Sequence, residues 1–197
     1  MKNSLSEKRL LPYIAVFSVL LALLVLLLIP IFLIAGYAVP AADDFSFSCE
    51  THAAYQSGRG ILAMIAAAAG KTAEVYESWQ GTFSAVFLMA FQPSVWGFRF
   101  YGLTTWIMVI SLVSGVFLIC FRVFSGVFGA AKCLSGIIAA VIAAACTQFL
   151  PSPNQGFFWY NGSVYYTFTF GLVLWFFSIL IVWLQRGESW RVALLSL

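Results

Sequence analysis

The 197-residue chain contains little charge. Asp, Glu, Lys and Arg make up 9% of it, while 62% of its residues are hydrophobic. Soluble domains carry roughly a quarter charged residues, so this composition excludes a soluble globular domain and predicts an all-α integral membrane protein. The net charge of +3 is too small to indicate nucleic acid as a partner, and the expected partner is the lipid bilayer.

Histidine and cysteine are also scarce. His52 is the single histidine, which gives no ligand cluster and predicts a solvated loop position. The four cysteines show no close metal-type spacing, and three of them fall in or near apolar runs, where Cys behaves as a small hydrophobe. We therefore predict no metal site formed by the protein alone and no disulfide framework. The four are Cys49, Cys120, Cys133 and Cys146.

Four apolar runs come close to or exceed the roughly 20 residues that a membrane span needs. The predicted spans are about 11–38, 100–121, 132–150 and 164–184. The first is about twice the length of the roughly 7–15-residue core of a cleaved signal peptide, which favours an uncleaved anchor. An apolar run opening at Val192 predicts the start of a fifth span. We treat 1–197 as a single transmembrane domain and expect a longer protein.

The predicted loop 41–99 contains two short helical patterns, Ile61–Gln80 and Thr82–Phe91. Neither can cross a membrane, so we expect interfacial helices. Basic residues set the predicted topology by the positive-inside bias. With the N terminus in the cytoplasm, seven of the ten fall inside, which makes loop 41–99 external and predicts a multi-pass protein of the cell membrane. The seven are Lys2, Lys8, Arg9, Arg122, Lys132, Arg186 and Arg191.

Asp43 and Asp44 form an acidic pair directly after the first apolar run. A carboxylate at the edge of a membrane can serve as a general base or ligate a divalent cation. Adjacent residues point in different directions, so one is expected to be catalytic and the other supporting. The alternative is a helix cap, since an N-cap Asp satisfies free backbone N–H groups. Spacing alone favours the cap.

Two further groups are candidates for substrate binding. Arg59 could hold a lipid phosphate, or it could snorkel or pair with a nearby glutamate. Trp79 could stack on a sugar or merely pack. The loop 151–163 places Trp159, Tyr160 and Asn161 together, a mixture of rings and amide that suits carbohydrate; an ordinary aromatic belt is the alternative.

Three segments carry a resemblance to a known family. Ala41–Ser48, Glu77–Ser84 and Phe158–Ser163 are similar to the bacterial domain of unknown function 6056 family, and the resemblance covers essentially the whole chain. The layout of that family resembles the N-terminal half of GT-C membrane glycosyltransferases. The resemblance implies sugar transfer from a polyprenyl-phosphate donor to an acceptor on the outer face.

The resemblance also implies roles for residues. An acidic residue of the first external loop acts as base or metal ligand in GT-C enzymes, which maps to Asp43 or Asp44 and allows a divalent cation. Related proteins often have Arg after the glycine of the Trp-x-Gly segment. Here Thr82 follows, so Arg59 becomes the candidate for the phosphate. The implied substrate-binding set is Arg59, Glu77, Trp79, Trp159, Tyr160 and Asn161.

Two functions of other classes remain open. A transporter or flippase predicts charged residues within spans and an internal repeat, and the sequence shows neither. A non-catalytic membrane subunit predicts that Asp43 and Asp44 can both be replaced without loss.

Overall fold

The structure, a computed structural model, describes residues 2–186. This part of the chain holds eight α-helices and no β-strand. Two 3₁₀ turns, Pro93–Trp96 and Phe98–Phe100, precede α5, and wider π-type turns occupy Phe121–Val127, Asn154–Phe158 and Val164–Phe168. The helices are α1 Lys2–Ala35, α2 Asp43–Gln56, α3 Ile61–Ser78, α4 Phe83–Ala90, α5 Leu103–Cys120, α6 Lys132–Gln148, α7 Tyr160–Ser163 and α8 Thr169–Arg186.

Three helical stretches in the described residues are long and apolar enough to cross a membrane: Leu10–Ala35, Phe98–Val127 and Tyr160–Gln185. They leave large apolar side chains uncovered; Leu11 and Leu33 are each 67% exposed. Apolar surface on this scale is unfavourable in water and favourable in lipid. The prediction of an all-α chain with several helices long and apolar enough to span a membrane is thus confirmed.

The sequence analysis predicts four spans and the start of a fifth, which is more than the three long apolar stretches found in the described residues. The third predicted span corresponds to α6, a shorter apolar helix of 17 residues. The fifth predicted run, from Val192, lies outside the described residues. Where the helices of loop 41–99 sit relative to a bilayer stays a prediction.

The chain divides into two compact units. The first combines residues 2–30, 110–150 and 170–186. Helices approach closely there at small residues: a Cβ added to Gly115 would lie 2.8 Å from the carbonyl oxygen of Gly171. The Nε1 of Trp175 donates to Ser114 Oγ at 3.1 Å. Small residues that let backbones approach are typical of membrane helix contacts.

The second unit comprises residues 31–109 and 151–169 and contains α2, α3 and α4. One stripe of α2 is buried, at spacings of three and four residues, as expected of a helix that packs along one side. Phe47 on this stripe packs with Val75, Val86 and Met89 in one apolar cluster. The stripe is Asp44, Phe47, Ser48, Thr51 and Ala54.

The prediction of a solvated loop position for His52 was wrong. His52 lies on α2, is partly buried, and its Nδ1 is 2.8 Å from the carbonyl oxygen of Val95, so Nδ1 is the donor of this hydrogen bond. A lone polar residue gives no periodic signal, so the sequence could not place it on the packed side of a helix.

The end of α1 packs tightly against the turn before α5. A Cβ added to Gly102 would lie 2.6 Å from the carbonyl oxygen of Ala35. The Ala35 carbonyl is backbone, and the backbone of residue 102 would fix the position of a Cβ, so neither atom could rotate away from the other. Glycine is therefore required at position 102.

We expect Gly102→Ala to destabilise the protein by about 1–3 kcal/mol, the usual cost of overpacking. Gly70→Ala is the matched control, because a Cβ at Gly70, inside α3, meets nothing within 4 Å and alanine raises helix propensity there. Thermal unfolding in detergent should show a lower Tm for the first variant and an equal or higher Tm for the second. Equal Tm values for the two would contradict the contact.

Candidate functional site

The acidic pair opens α2 but does not cap it. The N-cap position is Ala42, and no side chain makes a capping hydrogen bond. The helix-cap interpretation of Asp43 and Asp44 was therefore wrong. Ala42 has a φ of 47°, a left-handed conformation that costs a non-glycine residue about 1–3 kcal/mol. This turn brings the amide of Ala41 back to the side chain of Asp44.

The carboxylate of Asp44 is buried and held by three donors. Its Oδ2 accepts from the backbone N–H of Ala41 at 3.1 Å and from the hydroxyl of Tyr101. Its Oδ1 accepts from the backbone N–H of Asn161 at 3.2 Å. Its main-chain oxygen accepts from Gln92 Nε2 at 2.6 Å. Asp44 thus joins the start of α2 to the turn before α5 and to α7.

Burial raises the pKa of the Asp44 carboxyl above its ordinary value. The hydrogen bonds from Tyr101, Ala41 and Asn161 act in the opposite direction, and the neighbouring charge of Asp43 adds to the rise. Desolvation disfavours the charged form of a carboxyl, and here it outweighs the three donors. The Tyr101 hydroxyl in turn accepts from the backbone N–H of Tyr160 at 2.9 Å, so the network continues into α7.

Asp43 has the opposite environment. Its side chain is exposed and lines a cavity of about 130 Å³ within the second unit. It is the one carboxylate among the lining residues. Aromatic rings and amides form most of the remaining wall. The lining residues are Asp43, Phe47, Trp79, Gln80, Met89, Trp159, Asn161, Gly162, Tyr165 and Tyr166.

The Asn161 side chain has unused hydrogen-bonding capacity at this cavity. Its Nδ2 and Oδ1 are both buried and have no partner, and the Nε1 of Trp159 is in the same situation. A buried polar group without a partner costs about 1–3 kcal/mol. A hydroxyl both donates and accepts, so a ligand hydroxyl would satisfy the Asn161 amide once that side chain turned into the cavity.

The cavity wall is fixed by contacts between distant segments. The hydroxyl of Tyr165 is 2.9 Å from Gln80 Nε2 and 3.0 Å from Thr82 Oγ1. A Cβ on Gly162 would lie 2.7 Å from the ring of Trp159, so glycine provides the space for that indole. These contacts tie the segment after α3 to the segment around α7.

The structure brings four of the predicted site residues to one cavity: Asp43, Trp79, Trp159 and Asn161. Tyr160 contributes its backbone N–H to Tyr101 and buries its ring.

Asp44 and Tyr160 lie behind the cavity in the buried network, and two further predicted residues do not line the cavity either. Arg59 is exposed in the turn after α2, where its Nε donates to Ser57 Oγ at 2.9 Å. Glu77 is exposed on α3.

Sequence reasoning missed the residues that support the site. Tyr101 opens an aromatic-rich span, where a ring normally indicates an interfacial position. Gln92 is a lone amide in an apolar stretch before Pro93 and is now fully buried. The one available signal in the sequence was a polar amide within an otherwise apolar stretch. Such an amide, if it is buried, needs a hydrogen-bond partner.

The residues present do not form a divalent-cation site. Within the described part of the chain, no group of three or more His, Cys, Asp or Glu side chains could hold a metal ion. The Asp44 oxygens are occupied by three donors, which leaves Asp43 and Asn161 Oδ1 as oxygen ligands. Calcium takes six to eight oxygen ligands and magnesium six, of which water and substrate phosphates commonly supply several, so these residues alone do not hold the cation that the resemblance suggests.

No protein-family model, curated protein or solved structure matches this chain. The resemblance to GT-C enzymes accordingly stays a prediction from sequence. The two neighbouring acids differ in environment: Asp43 is exposed at the cavity wall, while the Asp44 carboxyl is buried and accepts from three donors.

We expect Asp44→Asn to lower stability by about 1–3 kcal/mol, because an amide offers a donor where three donors converge on the acid. Asp43→Asn is the matched control on the neighbouring exposed residue, and should change stability by no more than about 0.5 kcal/mol. Tm in detergent measures both. A larger loss for Asp43→Asn than for Asp44→Asn would contradict the assignment.

The raised pKa of Asp44 also predicts a pH dependence of stability. A folded-state pKa above the unfolded value means that the folded protein binds more protons between the two values. The contribution to stability is present below the unfolded pKa and is lost as pH rises through the folded pKa. The Tm of the native chain minus that of Asp44→Asn should therefore decrease with rising pH from about 4 upward. A difference that grows with pH would show a lowered pKa instead.

Proposed function

We propose that this chain is a GT-C-like membrane glycosyltransferase that transfers a sugar from a polyprenyl-phosphate donor to an acceptor at the outer face of a cell membrane. In this proposal α6 is a further span beside the three long apolar stretches. The observation that carries it is the exposed Asp43 carboxylate at the wall of an aromatic cavity with an unpartnered Asn161 amide.

The chemistry of the cavity wall favours a sugar. Aromatic rings cover the apolar face of a sugar ring, while amides and carboxylates bond its hydroxyls. The volume of about 130 Å³ is small beside the roughly 300–1,000 Å³ of pockets for drug-sized ligands. It suits one sugar ring and leaves the polyprenyl chain outside.

Asp43 is the proposed general base. Its carboxylate takes the proton of the acceptor hydroxyl as that oxygen attacks the anomeric carbon of the donor. A new carbon–oxygen bond forms, and the bond from the anomeric carbon to the phosphate oxygen breaks. The polyprenyl phosphate leaves with the bonding electron pair. Trp79, Trp159 and Asn161 would orient the sugar.

Asp44 is the proposed positioning residue. Its buried hydrogen bonds fix the first turn of α2, and Asp43 lies on the same turn. The two acids would then divide their roles as the sequence suggested, with Asp43 reacting and Asp44 supporting. The alternative proposal, a non-catalytic membrane subunit, requires neither a general base at Asp43 nor a positioning residue at Asp44.

The test uses the full-length protein in cells that lack the native copy, with surface glycans as the readout. Asp43→Asn should abolish the glycan or reduce its transfer by about 10²–10⁴-fold, the usual contribution of a general base. Glu50→Gln, an exposed acid on α2, is the matched control and should leave glycans intact.

Asn161→Ala should weaken donor binding more than it slows transfer at saturating donor. An unchanged glycan in Asp43→Asn would support the non-catalytic subunit and overturn the proposal.

A further inference from the structure

The cavity beside Asp43 combines aromatic rings with charge of one sign. Five of its ten lining residues are aromatic. No Lys, Arg or His is among the lining residues, all of which lie in the described part of the chain. Such a wall differs from one that serves neutral hydroxyls alone, because ring faces and a carboxylate both attract a cation. The aromatic residues are Phe47, Trp79, Trp159, Tyr165 and Tyr166.

The Asp43 carboxylate has no protein partner within residues 2–186. Its main-chain oxygen accepts from Ser46 Oγ at 2.9 Å, while its side chain makes no hydrogen bond or ion pair in that part of the chain. The neighbouring residue Asp44 is a second acid and therefore supplies no compensating charge. The cavity thus holds an exposed carboxylate that is open to a ligand.

The three basic residues of the second unit contact other groups. Lys71 pairs with Glu74 at 3.0 Å, and Arg59 donates to a serine hydroxyl at 2.9 Å. The Arg99 guanidinium lies 4.7 Å from the centroid of a phenylalanine ring. The sequence places the other seven basic residues outside this unit, and the positive-inside pattern predicts the opposite side of a membrane for them. No basic side chain of the second unit therefore neutralises Asp43.

The rings of the wall are held in place and remain partly open. The Tyr165 hydroxyl is 2.9 Å from Gln80 Nε2, and the Tyr165 ring packs against the apolar cluster that contains Phe47. The side chains of Trp79 and Tyr166 are 69% and 71% exposed, so protein does not cover all of the ring surface here. Groups that are already in position bind a ligand at a lower entropic cost.

We propose that this cavity binds an ammonium group. Asp43 is the counter-ion, and the rings supply cation–π contacts, which are strongest for tryptophan and gain strength as water is removed. A carboxylate has two oxygens. Asp43 therefore pairs with the ammonium through one oxygen and keeps the other for the acceptor hydroxyl.

Two kinds of molecule present this group at the surface of a membrane. One is an amino sugar; for that source the inference rests on the proposed function and names the class of sugar transferred. The other is the headgroup of phosphatidylethanolamine, which offers the same chemistry without any sugar. Competition between the two separates the sources.

A plainer explanation is that the rings form an interfacial aromatic belt and that water alone covers Asp43. A site for neutral sugars is a second explanation. Both predict equal affinity for a charged ligand and its neutral analogue. Neither predicts that removal of the Asp43 charge changes the ratio of those affinities.

The experiment measures the binding of glucosamine and glucose to the full-length chain in neutral detergent by ligand-observed NMR. At mildly acidic pH the two sugars differ at one position, where glucosamine carries an ammonium and glucose a hydroxyl. We expect glucosamine to bind about tenfold more tightly, and Asp43→Asn to abolish that preference because the cation loses its counter-ion. The Tm of Asp43→Asn, expected to be close to that of the native chain, verifies folding.

Trp79→Leu removes a ring and keeps the charge of the wall, so it should reduce the preference by about threefold. Glu50→Gln and Tyr76→Leu are the matched controls, since they remove an exposed acid and an exposed ring that do not line the cavity. Both controls should keep the preference. Equal binding of the two sugars by the native chain, or an unchanged preference in folded Asp43→Asn, would overturn the proposal.

Phosphatidylethanolamine added to the detergent micelles distinguishes the two sources, with phosphatidylglycerol as the lipid that lacks an ammonium. Displacement of glucosamine by phosphatidylethanolamine alone identifies the phospholipid headgroup as the source of the ammonium. Retention of glucosamine in the presence of either lipid identifies an amino sugar.

Failure of this inference is distinguishable from failure of the proposed function. If glucosamine is not preferred but Asp43→Asn still abolishes the surface glycan, then the ammonium site is wrong and the glycosyltransferase proposal stands. If glucosamine is preferred but Asp43→Asn leaves the glycan unchanged, then the ammonium site stands and the proposed function is wrong.

Discussion

The buried carboxylate of Asp44 is the interaction on which the second unit depends. It gathers donors from Ala41, Tyr101 and Asn161, which lie in three separate segments. Removing such a group leaves its donors buried without a partner, which costs more than the hydrogen bonds gain in isolation. Because an α-helix has 3.6 residues per turn, fixing Asp44 also fixes the direction of Asp43, about 100° further around the same helix.

Much of the fold could be predicted from the sequence because its signals are local. Long apolar runs predict spanning helices without reference to any partner, and the two short patterns at 61–80 and 82–91 correspond to α3 and α4. The site was partly predictable for the same reason. Asp43, Trp79, Trp159 and Asn161 combine carboxylate, ring and amide in loops between apolar runs.

The remaining features depend on contacts between distant residues. The sequence could not show which aspartate is buried, because both have the same neighbours along the chain and differ only in the tertiary partners they meet. Tyr101 and Tyr165 gave no signal as supports, since an aromatic residue in a span has many ordinary reasons to be there. Arg59 offered the right charge, but α2 places it at the far end of the helix from the acidic pair.

The hydrogen bond between Asp44 and the amide of Asn161 joins residues 117 positions apart. A chain made from its N terminus must therefore complete α2 long before it makes this partner, and Tyr101 follows 57 residues after Asp44. During that interval the carboxylate has to remain hydrated, since its later donors do not yet exist. The position of Asp43 at the cavity wall is thus fixed late in synthesis, and a chain stopped before α7 would carry both acids and no organised cavity.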